Sequence, residues 1–167
     1  VIETDVAIIG AGPVGLFAVF ECGMLRMKSV VIDALDAVGG QCTALYPEKP
    51  IYDIPAHPAI AAADLIGHLE KQIEPFAPTF LLGRRVETLA REDGTIVLGT
   101  SAGDTVRCKA VVIAAGAGAF GPNRPPLDGL PGYEASGAVR YLVARREEFR
   151  GKRVVIAGGG DSAVDWA

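Results

Sequence analysis

The chain has 167 residues, half of them apolar, with a mean hydropathy of +0.31 and a formal net charge of −4. That is enough for one good core, or for one domain and part of another. With no long run of one sign and no apolar run near the roughly 20 residues of a membrane span, neither a nucleic-acid face nor a membrane anchor is expected.

Residues 3–10 read as the first strand, so the N-terminal stretch is not taken for a signal peptide. Gly10-Ala11-Gly12-Pro13-Val14-Gly15 follows, and then an apolar helical pattern to about residue 27, with Leu16, Phe17, Val19, Phe20 and Met24 as its apolar face. Strand, Gly-rich turn and helix together predict a dinucleotide-binding βαβ unit. Gly10 allows the sharp turn, Gly12 lets backbone N–H groups reach a pyrophosphate, and Gly15 lets the helix pack close to the strand. The phosphates would sit at the helix N-terminus, where unpaired N–H groups favour an anion. Pro13 fits the first helical turn, and Pro13 and Val14 are counted with the three glycines as cofactor-binding positions.

Ser29–Ile32 reads as the second buried parallel strand, ending at Asp33. An acid about 20 residues past the glycines is placed to hydrogen-bond ribose hydroxyls. Residues 34–46 are a loop in which Gly39 and Gly40 mark a close-approaching backbone, and Gln41 offers a donor and an acceptor. The Pro-punctuated residues 46–55 are too rigid for helix, and Tyr46 and Tyr52 either flank a planar ring or pack within the loop. Residues 61–76 form a second helix. His57 and His68 read as solvated or structural, since no nucleophile or metal set accompanies them.

Residues 79–82, 85–90, 95–100 and 104–109 read as strands of a small antiparallel insert, with turns at 92–94 and 102–104. Residues 110–115 are a fully apolar, parallel and central strand. A Pro- and Gly-rich crossing segment, 121–133, and a short helix at 141–150 follow. Residues 153–157 then repeat the strand, and Gly158-Gly159-Gly160-Asp161-Ser162-Ala163 repeats the turn. Two such turns suggest two dinucleotides. A βαβ unit needs about 30 residues, so the second is expected to be truncated and the chain to be a fragment. The three cysteines, Cys22, Cys42 and Cys108, are scattered and odd in number, which favours a reducing, cytoplasmic compartment over a disulfide framework.

Four stretches, Gly10 to Gly15, GGQCTALYPEKPIYDIPAHP at 39–58, AAGAGAF at 114–120 and GKRVVIAGGGDSAVDWA at 151–167, resemble the thioredoxin reductase-type ferredoxin–NADP reductases. The resemblance covers nearly all of this chain and about the first half of such an enzyme. It implies an α/β, Rossmann-like three-layer FAD/NAD(P)-binding fold with a small antiparallel insert. Residues 1–120 would be the FAD-binding domain, and 121–167 a linker and the start of an NAD(P)H-binding domain. By the same resemblance Asp33 binds the FAD ribose, Gln41 and Tyr46 meet the flavin side, Val86 the adenine and Phe120 the cofactor edge. Gly158, Gly160 and Ser162 face the NADP pyrophosphate. The family usually has Glu in place of Asp33 and a small or aliphatic residue in place of Cys42.

The implied activity couples two one-electron steps at the flavin to one hydride transfer at nicotinamide. Its partner would be ferredoxin or a flavodoxin-like carrier, and the full-length protein a homodimer. That chemistry belongs to the cofactors, so no catalytic residue and no metal ligand is assigned. The alternatives are another thioredoxin reductase-like NAD(P)H flavoprotein reductase and a non-catalytic FAD-binding module. Dithiol exchange needs a paired attacking and resolving thiol, and no CxxC occurs in the chain. The 167 residues by themselves are expected to be inactive.

Overall fold

The computed structural model describes residues 1–118, 121–122, 124–143 and 145–165, without the side chains of Ser162 and Asp165. They form two compact units, Val1–Gly121 and Pro122–Ala167.

In the first unit, β1 (Ile2–Glu3) and β2 (Val6–Ile9) lie in different sheets. The single strand expected over 3–10 is therefore broken. The chain changes sheets at Thr4 and Asp5: Thr4 N–H donates to Arg107 O, and Val6 N–H donates to Lys28 O. Asp5 secures the crossing, accepting from the Lys28 backbone N–H at 2.9 Å and from Lys109 Nζ at 2.7 Å.

Pro13–Met24 is α1, three residues shorter than expected. Arg26 takes a left-handed conformation (φ 59°) and Met27 N–H closes back onto Cys22 O, which ends the helix. Leu16, Val19 and Cys22 face inward, whereas Phe17 and Met24 are exposed rather than part of the buried face. The helix is strongly apolar, so periodicity alone could not choose its inner side.

Ser29–Ile32 is β3. The loop expected over 34–46 contains one helical turn, α2 (Gln41–Ala44), and the Pro-punctuated stretch after it opens an antiparallel ribbon of β4 (Pro50–Ile51) with β5 (Ile60–Ala61). Ala62–Ile73 is α3, extended by a 3-10 turn at Glu74–Phe76. There Phe76 packs edge-on against Phe20 and directly over Gly23, where a Cβ would strike its ring.

β6 (Thr79–Leu81) pairs parallel with β3 and so belongs to the parallel sheet, not to the insert. The insert is β7 (Val86–Glu92), β8 (Thr95–Thr100) and β9 (Thr105–Cys108), antiparallel throughout, with β1 parallel on its edge. β10 (Ala110–Ile113) completes a parallel sheet of order β10-β2-β3-β6. It pairs parallel as expected but stands at the edge rather than the centre, with Ile113 74% exposed.

The layers follow from the two-residue side-chain alternation of strands. Val6, Ile8 and Val31 point toward α1 and α3, meeting Leu16, Val19, Ala62 and Ile66. Ala7, Val30 and Ile32 point the other way and meet Leu98, Val106 and Cys108 of the antiparallel sheet. The result is an α/β fold of three layers with two apolar cores, one on each face of the parallel sheet.

In the second unit α4 (Leu130–Ala135), a 3-10 turn at Arg146–Phe149 and α5 (Asp161–Asp165) are the regular elements among the described residues. Among the described residues of 141–150, the expected helix is reduced to that 3-10 turn. The strand expected over 153–157 is absent: the segment is irregular and exposed, because no described strand of the unit pairs with it. No described helix is long and apolar enough to cross a membrane.

Candidate dinucleotide site

At the carboxyl end of the parallel sheet the first glycine turn is held by its neighbours. Gly10 N–H donates to Ile32 O at 2.8 Å, and Ala114 N–H donates to Ile9 O at 2.8 Å. Gly10 takes φ 110°, and a Cβ there would run into the Ala114 carbonyl. Gly15 lies directly under the Gly10 carbonyl, which a Cβ would strike, so helix and strand meet only because this residue is glycine. Gly12 differs: a Cβ there meets nothing within 4 Å, so this side of the turn faces open space.

Helix α1 starts at Gly12 with no side-chain cap and no acidic residue in its first turn. Its leading N–H groups are therefore left for an incoming acceptor, and the end of the helix dipole there is positive.

Asp33 stands beside this turn. One carboxylate oxygen accepts from Ala11 N–H at 2.6 Å and the other from Leu35 N–H at 2.8 Å. An ionised carboxylate has about four acceptor sites, so two remain for hydroxyl donors. Gly39 N–H donates to Ala11 O, and Gly40 (φ 58°) approaches Gly12 so closely that a Cβ would lie 3.2 Å from the Gly12 Cα. That contact brings α2 over the turn and sets Gln41 at the cleft. Gln41 Oε1 lies 3.5 Å from the Tyr46 hydroxyl. Burial pushes the Tyr46 phenol above its ordinary range, with the neighbouring Cys42 thiol adding to the shift, and burial likewise raises Cys42.

A cleft of about 330 Å³ opens beside the turn. It takes in Gly10, Gly12, Asp33, Gln41 and Val86, and also Arg84, Arg85 and the backbone of residues 114–118. Pro13, Val14 and Gly15 do not border it: Pro13 opens the helix, Val14 is exposed and Gly15 is buried behind the turn. Tyr46 borders a separate cleft with Lys49, Pro50, Ile51, Tyr52 and Asp53.

Phe120 lies outside the described residues. Gly158 and Gly160 stand in the second unit, both exposed, with Gly160 O accepting from Ala163 N–H as α5 begins; the Ser162 side chain is outside the description.

The residues missed from sequence are Arg84 and Arg85. Nothing in their spacing from the glycines marks them; they reach the cleft because β6 ends beside Asp33. No group of three metal-ligating side chains occurs among the described residues. The cleft offers backbone donors for an anion and a carboxylate for hydroxyls, the chemistry of a bound dinucleotide rather than of a nucleophile.

Known proteins resemble this chain. The family model described as pyridine nucleotide-disulphide oxidoreductase matches residues 4–167. The chain is similar to the ferredoxin–NADP reductase of Granulibacter bethesdensis, at 73% identity over all of this chain and 48% of that protein. It is similar also to that of Acidiphilium cryptum, at 72% identity over 99% of this chain and 49% of that protein. The chain thus spans about half the length of the curated relatives it matches. Among solved structures, thioredoxin reductase of T. acidophilum superposes with a TM-score of 0.62 at 19% identity, over 78% of this chain and 40% of that one, and so shares the fold. By the match over residues 4–167, this chain belongs to the pyridine nucleotide-disulphide oxidoreductase family.

Proposed function

We propose that this chain is the FAD-binding part, with the opening of the NADPH-binding domain, of a ferredoxin–NADP reductase. The observation that carries the reading is the convergence of an open-faced Gly12, an uncapped α1 N-terminus and the Asp33 carboxylate on one cleft. These groups fit the dinucleotide's pyrophosphate and ribose. The relatives named ferredoxin–NADP reductase supply the activity.

When bound, FAD exchanges two electrons with a nicotinamide and single electrons with a one-electron carrier. The protein's own part is to hold and orient. The N–H groups around Gly12 take the pyrophosphate, and Asp33 takes the ribose hydroxyls. Gln41 and Tyr46 are assigned to the flavin side, Val86 to the adenine and Phe120 to the cofactor edge. Pro13, Val14 and Gly15 shape the turn from behind. Gly158, Gly160 and Ser162 open the NADP pyrophosphate site. On this reading residues 1–120 are the FAD domain and residues 121–167 lead into the NADPH domain.

The acceptor is ferredoxin or a flavodoxin-like carrier, and the protein works in the cytoplasm as a homodimer; the compartment rests on the scattered cysteines and the homodimer on the resemblance alone. The absence of any CxxC in the chain favours a one-electron carrier over a disulfide as acceptor. The test is steady-state turnover of the full-length protein that contains this chain. NADPH-driven reduction of ferredoxin with no reduction of thioredoxin is expected. Robust thioredoxin reduction, or purified protein that takes up no FAD, would overturn the assignment.

A further inference from the structure

The antiparallel sheet takes no part in the glycine turn, yet one of its turns is fastened to the cleft. Thr100 is the buried polar side chain of the described core. Its hydroxyl donates to Asp104 Oδ2 at 3.0 Å and accepts from the Asp104 backbone N–H at 3.1 Å. The same Oδ2 accepts from Arg84 Nε at 2.6 Å, and Arg84 Nη1 donates to Leu82 O at 2.8 Å.

Backbone bonds continue the chain of contacts. Arg84 N–H donates to Asp33 O at 2.8 Å, and Arg85 N–H donates to Ser101 Oγ at 3.0 Å while its carbonyl accepts from Ser101 N–H at 2.8 Å. Residues 84–86, which form one wall of the cleft, are thus pinned to the strand end carrying Asp33 on one side and to the β8–β9 turn on the other. An ion pair with side chains 37% and 28% exposed adds little to global stability. What this one does is fix a wall.

We propose that Thr100, Asp104 and Arg84 form a positioning clasp that holds the 84–86 wall against Asp33 and so sets how tightly the adenosine half of the dinucleotide is held. The proposal rests on the reading of the cleft as a dinucleotide site. Hydrogen bonds from Thr100 and Arg84 keep the Asp104 carboxyl below its ordinary range, so the clasp is charged at neutral pH. Arg84 is a positioning residue here, acting through the wall that it anchors.

The test uses the full-length protein stripped of flavin and titrated separately with FAD, ADP and FMN, followed by fluorescence. D104N is expected to weaken FAD and ADP by a similar factor, roughly 5- to 10-fold. FMN affinity and the thermal midpoint should stay close to those of the unaltered protein, and D104E should recover part of the loss. Unchanged ADP and FAD affinity in D104N overturns the proposal. An equal loss for ADP and FMN overturns it too, as the mark of a general structural defect. Where D104N does not fold, R84K, which keeps the charge and loses the guanidinium fork, is held to the same comparison. If the unaltered protein itself takes up no FAD, the dinucleotide reading of the cleft falls and the clasp falls with it; FAD uptake with an indifferent D104N removes the clasp alone.

Discussion

Gly12→Ala separates the two jobs of the glycine turn. Gly12 has φ −75° and ψ −177°, an extended conformation open to any L-residue, and an added Cβ meets nothing within 4 Å. The folded protein therefore accepts the methyl. Restricting the unfolded chain adds about 0.4–1 kcal/mol of stability. Replacing Gly by Ala as the residue preceding the helix removes a few tenths to about 1 kcal/mol. The two nearly cancel, and a net change within about 0.5 kcal/mol is expected. On the proposed reading, the same methyl stands where a pyrophosphate would approach the N–H groups of α1. Losing one charge-assisted hydrogen bond costs about 1.5–3 kcal/mol, or roughly 10- to 150-fold in affinity. Gly15→Ala is the contrast, because its Cβ runs into the Gly10 carbonyl. It should destabilise the fold by about 1–3 kcal/mol or more through overpacking. Urea unfolding of the flavin-free full-length protein gives the first quantity and FAD titration the second. A Gly12→Ala protein that loses more than about 1 kcal/mol of stability, or that binds FAD as tightly as before, would refute the reasoning.

Asp33→Asn keeps the shape but removes the charge from the Ala11 and Leu35 hydrogen bonds; FAD affinity should fall by roughly tenfold or more, and an unchanged dissociation constant would count against Asp33 as the ribose acid. Leu98→Ala empties a fully buried position between the two sheets and should cost about 2–5 kcal/mol in urea unfolding, a loss below 1 kcal/mol being inconsistent with the packing described. Cys22, Cys42 and Cys108 are buried free thiols raised in pKa chiefly by burial, so a thiol reagent should label all three rapidly only after denaturation; fast labelling of the native protein would show otherwise. Asp5 is held below its usual 3.8 by Lys109 and the Lys28 N–H, and Asp104 by Thr100 and Arg84. A depressed carboxyl adds stability that is complete above its unfolded value and lost as pH falls through the folded one. Below about pH 4 the stability should therefore be less pH-dependent in D5N/D104N, and an unaltered pH slope would contradict this.

The glycine turn and the acid beside it were legible because each depends on local chemistry: Gly10 on its backbone angle, Gly15 on a missing Cβ, Asp33 on its place at a strand end; the three-layer class came through the family resemblance. What escaped depended on partners distant in sequence. The break at Thr4 and Asp5 is set by Arg107 and Lys109, more than 100 residues on. Arg84 enters the cleft through the pairing of β6 with β3, which moved residues 79–81 out of the expected insert. Phe17 and Met24 fell outside the buried face because α1 is strongly apolar, and only its packing against the parallel sheet and α3 selects its inner stripe.

One tripeptide shows the limit most directly. Val-Val-Ile occurs at residues 30–32, 111–113 and 154–156, each time after a polar or small residue and before a turn. The first copy lies between β2 and β6, pairs on both sides and is wholly buried. The second pairs with β2 alone, is half-buried and ends in an exposed Ile113. The third pairs with no described strand, is irregular, and leaves Val155 92% exposed. Intrinsic strand preference is the same in all three, and it spans only about 1 kcal/mol across residue types. Each ladder hydrogen bond and each buried methylene adds a comparable amount, so the number of neighbouring strands, and not the tripeptide, decides the outcome. A β-branched run in sequence therefore predicts a strand only where the fold supplies something for it to pair with.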